Sequence, residues 1–422
     1  MKKRTALIGV AAIIAICLVA ATALIIIGKN NRNEDITEMD MNGKWISTWG
    51  TAMLTAGQEQ TPFNPGLVGN TVRQQIRVSV GGDKIRLVLS NEYGGTPLEV
   101  KRITIARLPD PSSSEIDVSS LAELSVDGSG SFSVPAGERV TTDELEFEVN
   151  PLEDLAITME LGSVPSTLTC HTASRCSTWI AKDTAADAAE FVNYGEMTSW
   201  YFITALDVVA GSSDSGVIVC FGDSLTDGAS VTTNGFARYT DQLSRRLRED
   251  DALKNLAVVN MGIGATALYR YGGDIAGTVR ANRDILGVPG VKYVVLFMGV
   301  NDIGGADTDI SSDIISHYKS IIERCHENGI KIYGATITPF KGNGYYSELH
   351  EQIRLAVNGF VLSENSGFDG CVDLASLMCD PSDPEKLEDS YVSVWNDYLH
   401  FNDSGYSRVG DAVYEMLASE LS

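Results

Sequence analysis

The sequence predicts an α/β fold in two parts: an antiparallel β-sandwich of jelly-roll type, then a three-layer α/β/α domain built on a parallel sheet. An apolar helix precedes both. Three observations carry this. No charge falls between Thr5 and Gly28 after the opening Met1-Lys2-Lys3-Arg4; residues 43–212 read as short alternating strands and turns; and from residue 213 to 422 continuous apolar strands alternate with helical stretches.

The N-terminal run from Ala6 to Ile27 is long enough to span a bilayer as a helix. Basic residues precede it and Glu34, Asp35, Glu38 and Asp40 follow, so the positive-inside rule leaves the N-terminus in the cytoplasm and the remainder outside. Residues 1–28 are therefore expected to be an uncleaved signal anchor. A cleaved signal peptide competes, because Ala21-Thr22-Ala23 is an A-x-A-like site, although Leu24 to Ile27 continue the apolar run beyond it. The expected location is the extracellular face of the membrane, or the medium if cleavage occurs. Residues 29–42 are polar and acidic and read as a linker.

In the second stretch, residues 71–80 and Lys84 to Ser90 flank Gly81-Gly82-Asp83, a hairpin signal. Val100 to Leu108, Phe132 to Val134, Leu145 to Val149 and Leu155 to Leu161 supply further strands. In the third, Val217 to Phe221 is apolar throughout, as a strand covered on both faces is. Helix Tyr239 to Arg248, strands at Ala257, Tyr293 and Ile330, and helices Asp313 to Glu327 and Ser347 to Leu362 continue the alternation.

The chain has 422 residues, 44% hydrophobic and 21% charged, and a net charge of −24. Those fractions exclude wholesale disorder, and the acidity argues against nucleic acid and against a basic membrane-surface face. The only membrane contact expected is the N-terminal helix. Cys170/Cys176 and Cys371/Cys379 are close enough for local bridges, but spacing does not fix connectivity. No paired CxxC units are present, and no metal or organic cofactor is expected.

Reactive groups in a parallel sheet collect at the carboxyl ends of strands. There stand Gly222-Asp223-Ser224-Leu225, then Asn260-Met261-Gly262-Ile263-Gly264-Ala265, then Gly299-Val300-Asn301-Asp302, and near the C-terminus Asp397-Tyr398-Leu399-His400. Ser224 is a candidate nucleophile on a strand-to-helix turn. His400 is the candidate base, and Asp397, three residues earlier, is placed to orient it. Asp227 and Asp302 read as loop or cap groups that hold the site, and His171, His317, His326 and His350 as structural or exposed.

In order and spacing these blocks resemble the SGNH (GDSL) hydrolase superfamily. Lys44 to Ala52, the Arg77 to Asn91 segment, Thr198 to Phe202 and Gly334 to Phe340 resemble its branch with an N-terminal β-domain, that of secreted acylhydrolases grouped with xylan-cluster esterases. The resemblance implies a serine esterase with a Ser224–Asp397–His400 triad. Its oxyanion hole is implied to take the Ser224 N–H, the Asn301 side chain and a backbone N–H. By register that third donor is Ala265, where the family has glycine, with Gly264 as fallback. A backbone donor survives that exchange at negative φ and is strained at positive φ. Phe401 stands where the family commonly has proline, and either reshapes the pocket or packs. Tyr345, Tyr346 and Phe340 are candidate substrate contacts, and Tyr269, Arg270 and Trp395 are further pocket candidates; core or rim packing is the competing role for each.

The implied substrate is a short acyl ester, most often acetyl, on a polysaccharide such as xylan. Two alternatives stay open: a lipid acylhydrolase of lysophospholipase or arylesterase type, and a non-catalytic carbohydrate-binding surface protein whose site decayed with the change to Ala265.

Overall fold

Strand Gly216–Gly222 is buried along its whole length, because parallel neighbours flank it on both edges and helices cover both faces. In a computed structural model describing residues 45–62 and 64–421 it is the second strand of a five-stranded parallel sheet. The order is Leu256–Gly262, Gly216–Gly222, Val291–Phe297, Lys331–Ala335, Gly370–Val372. The chain steps one way from the first strand to the second and then reverses, so right-handed crossovers place successive helices on opposite faces. Helix Tyr239–Arg248 packs on the final helix Asp403–Leu421, and Ser311–Glu327 packs on Glu348–Val361.

These helices form where the sequence supplies a stripe and a start. Ile314, Tyr318, Ile321, Ile322 and Cys325 recur at helical spacing and are the buried positions of Ser311–Glu327. Ser347 caps the next long helix, its hydroxyl accepting from the His350 N–H at 3.1 Å, with Glu348 and Glu351 in the first turn.

The region before Val209 is antiparallel and β-rich. It comprises a seven-stranded sheet, a five-stranded sheet and a small sheet of three short strands, rather than the two sheets of a simple sandwich. The expected hairpin between residues 71 and 90 does not form. Thr71–Arg77 pairs with Asp154–Leu161 and Thr178–Ala181 in the larger sheet, while Gly82–Ser90 pairs with Ile203–Val209 in the five-stranded one. The cause is non-local: the Ser79 N–H donates to Thr48 O and the Val78 N–H to Glu153 O, so the chain turns a corner between sheets at residues 78–80.

From Ile46 onward the chain is one compact unit. The antiparallel region meets the parallel sheet directly: Thr51 bridges Asn260, and the Val258 N–H donates to Ser79 Oγ at 3.0 Å. The expected anchor and linker, residues 1–28 and 29–42, lie outside the described residues. Among the described residues no helix is long and apolar enough to cross a membrane. The six described cysteines are all free, so neither local bridge is present; Cys170 and Cys176 are instead buried in the core as thiols.

Candidate active site

Ser224 opens a four-residue helix, Ser224–Asp227, directly after strand Gly216–Gly222. Asp223 caps it, its side chain accepting from the Leu225 N–H at 3.0 Å, and Gly228 closes it in the left-handed conformation at φ 88°. The helix lies against the neighbouring strand so closely that a Cβ on Gly262 would stand 2.2 Å from the Asp227 nitrogen. Glycine is required there to admit the backbone.

The His400 Nε2 lies 2.9 Å from Ser224 Oγ, and its Nδ1 lies 2.6 Å from Asp397 Oδ2. With the ring proton on Nδ1, donated to the carboxylate, Nε2 is free to accept the serine proton. Asp397 is held in turn: its Oδ1 accepts from the Leu399 N–H, the His400 N–H and the Ser393 hydroxyl at 3.0–3.1 Å. Burial alone would raise the Asp397 carboxyl, but the bonds from the His400 ring and these backbone N–H groups hold it below its ordinary value. It therefore stays ionised beside the imidazole.

Asn301 is buried, with a defined amide orientation. Its Nδ2 donates to Thr266 O at 2.9 Å, and its Oδ1 accepts from the Tyr345 hydroxyl at 3.1 Å. One Nδ2 hydrogen remains for a ligand. The Asp302 carboxylate gathers the N–H groups of Leu268, Tyr269 and Arg270 at 2.6–3.2 Å, which fixes the segment following the Ile263–Thr266 turn. Within that turn both Gly264 and Ala265 are exposed. Ala265 sits at φ 59°, the left-handed region, so the alanine is strained where a glycine would not be. Its N–H makes no hydrogen bond to a described residue.

The structure thus brings together Ser224, His400 and Asp397, and places Asn301 in the network with Tyr345. Tyr346 is committed elsewhere, its hydroxyl donating to Glu385 at 2.5 Å. Phe340 is fully buried against Tyr346, so it is core and not a substrate contact. Phe401 is also fully buried, stacked edge-on to Tyr406, which decides its role in favour of packing. Tyr269 stacks on His317 at 4.2 Å, and Arg270 donates to Asp302 O.

Three contributors escaped the sequence reading. Tyr271 is 43% exposed and donates to Asn301 O at 3.2 Å. Arg280, fully buried, donates to Met261 O and Gly222 O at 2.7 Å each and so ties two strand ends together. His171 contacts Asp227. Only the first lay near a motif; a lone arginine on a short helix carries no sequence signal. Among the described residues no group of three or more His, Cys, Asp or Glu is placed to hold a metal ion.

A serine, a histidine base, an ionised orienting carboxylate and an amide donor make an acyl-transfer site. Residues 220–408 match the GDSL-like lipase/acylhydrolase family, and this part of the chain belongs to it. These are ester hydrolases, and the chain is a carboxylic ester hydrolase. Among solved structures it is similar to the lipase/acylhydrolase of Enterococcus faecalis (20% identity, 49% of this chain and 97% of that one, TM-score 0.39). It is also similar to an aryl esterase of M. smegmatis (18%, 49% and 100%, TM-score 0.39) and to an acetyl xylan esterase (21%, 47% and 98%, TM-score 0.36). No curated protein matches the chain.

Proposed function

We propose that the chain is a serine esterase that removes short acyl groups, acetyl above all, from a polysaccharide such as xylan, through an acyl-enzyme on Ser224. The observation that carries the mechanism is the unbroken chain Ser224 Oγ–His400–Asp397. His400 Nε2 takes the serine proton as Oγ bonds to the carbonyl carbon. The negative oxygen meets the Ser224 N–H, unpaired as the first of its helix, together with the Asn301 amide and the N–H of Ala265. As the ester C–O bond breaks, the imidazolium returns the proton to the alkoxide. A water then gives its proton to His400, attacks the acyl carbon and regenerates Ser224.

This intact relay supports catalysis over a decayed binding site. Support for a sugar substrate comes from Trp395, 54% exposed and edge-on to His400 at 5.4 Å, which offers a flat apolar face of the kind sugar rings pack on. The extracellular position and the tether through residues 1–28 belong to the same reading, and protease treatment of intact cells that spares the protein would contradict them. The substrate test is acetate release from acetylated xylan beside p-nitrophenyl esters of rising chain length. Activity should fall with acyl length, whereas brisk long-chain cleavage with background acetate release would favour the lipid acylhydrolase.

A further inference from the structure

Asp397 stands between two residues in the left-handed region, Asn396 and Tyr398, each at φ 53°. Neither is glycine, so the segment keeps this shape only where its surroundings hold it. The side chain of Asp397 is held by the Ser393 hydroxyl and two backbone N–H groups. Its backbone is held by Asn343, half-buried in the loop that follows strand Lys331–Ala335. Asn343 Nδ2 donates to Asp397 O at 2.7 Å, and among the described residues no backbone N–H donates to that carbonyl.

The other end of the same amide serves the oxyanion side. Asn343 Oδ1 accepts from the Tyr345 N–H at 2.9 Å, a turn closed by the side chain, and the Tyr345 hydroxyl donates to Asn301 Oδ1 at 3.1 Å. These partners fix which way the amide faces. Turned over, it would set its NH2 against an N–H and its oxygen against a carbonyl. A path of hydrogen bonds therefore runs from Asp397 through Asn343 and Tyr345 to Asn301. It joins the loop before the final helix to the short helix Val300–Gly304, which the bonds of the triad itself do not connect.

We infer that Asn343 is a positioning residue for ester hydrolysis: its one amide sets the spacing between the Asp397–His400 pair and the Asn301 donor. This rests on the esterase mechanism above. Proton removal and charge stabilisation act on the same reacting carbonyl, so both must be in place in one geometry. The loop itself does not depend on the amide for its shape. Phe340 anchors it in the core, and the Lys341 N–H donates to Glu385 O at 2.9 Å. Lys341 Nζ pairs with Asp383 at 2.8 Å and Glu385 at 3.2 Å, and the Tyr346 hydroxyl donates to Glu385. Gly342, at φ 103°, lets the chain lie against the Tyr398 ring, where a Cβ would stand 3.1 Å from it. Removing the amide should therefore cut the link and leave the loop.

The test measures kcat and KM of the full chain on p-nitrophenyl acetate, with urea midpoints on the same samples. The proteins are wild type, Asn343→Ala, Asn343→Ser, Tyr345→Phe, the double variant of Asn343→Ser with Tyr345→Phe, and Ser224→Ala. Serine keeps a weaker acceptor for the Tyr345 N–H but is too short to reach Asp397 O, so it separates the turn from the link. Asn343→Ala and Asn343→Ser should both lose about 10-fold in kcat with KM within about twofold, the split expected when reacting groups are displaced by a fraction of the 1 Å that costs about 100-fold. The double variant should lose less than the product of the two single losses, because both changes cut one path. Wild-type kcat in Asn343→Ser, or a rise in KM in place of the fall in kcat, overturns the inference, and so does a double variant whose losses multiply. Should Asn343→Ala not fold, Asn343→Ser alone and with Tyr345→Phe still decides. An inactive Ser224→Ala beside unaltered Asn343 variants would refute the link alone, whereas an active Ser224→Ala would refute the esterase mechanism.

Discussion

Replacing Asn301 by alanine removes the side-chain donor from the oxyanion hole and leaves the backbone donors in place. Loss of one such donor costs about 100- to 1,000-fold in kcat, or about 2.7–4 kcal/mol of transition-state stabilisation. The structure adds a second consequence. Asn301 is 4% exposed, and its removal leaves Thr266 O and the Tyr345 hydroxyl without their partners at 2.9 and 3.1 Å. At about 1 kcal/mol per bond the fold should lose roughly 2 kcal/mol. Steady-state kinetics on p-nitrophenyl acetate, with urea unfolding on the same samples, separates the two effects. Tyr345→Phe calibrates them: it keeps the donor and removes only the bond that orients it, so kcat should fall about 5-fold. A folded Asn301→Ala protein within about tenfold of the wild-type kcat would refute the assignment of Asn301 to the oxyanion.

Ala265→Gly should stabilise the fold by roughly 0.5–1 kcal/mol, the left-handed strain relieved less the greater freedom of unfolded glycine, with kcat kept within a few-fold because the donor is backbone; a lower urea midpoint would contradict this. Burial pushes the Asp223 carboxyl up to about 7, and among the described residues its Oδ2 has no hydrogen-bond partner. The native state then holds a proton that the unfolded chain, with its ordinary value of 3.8, has already lost. This contribution therefore lowers stability as pH rises from about 4 to about 7, and Asp223→Asn should gain on wild type across that window; a flat difference in melting temperature would speak against it. Trp395→Ala should raise KM for acetylated xylan and leave p-nitrophenyl acetate hydrolysis nearly unchanged, and equal effects on both substrates would remove Trp395 from the sugar site.

The parallel sheet was legible because its central strands are apolar runs that need no partner pattern to be recognised, and because three short motifs end them; the fourth, Asp397 to His400, lies not at a strand end but in the loop before the final helix. Gly370–Val372 was missed: three residues with a glycine and a cysteine carry no periodic signal, and the strand exists only by pairing with Lys331–Ala335. The hairpin at residues 71–90 failed for the converse reason. Alternation and a Gly-Gly turn describe each strand correctly, but whether neighbours pair is decided by Thr48 and Glu153, far away in sequence. The same limit governs the site. Ser224, Asn301, Asp397 and His400 sit in motifs, whereas Phe340 looked like a pocket residue until its burial was seen, and the approach of His171 to Asp227 spans the two halves of the chain.

The central claim is that Ser224 carries the acyl group and owes its reactivity to His400. Its most direct test is active-site labelling with a fluorophosphonate, followed by mass spectrometry of the peptide containing Ser224. The account predicts one adduct per chain, on Ser224, which is abolished in Ser224→Ala and greatly slowed in His400→Ala, with ester hydrolysis lost in parallel. An adduct on another residue, or full hydrolysis by Ser224→Ala, would contradict it.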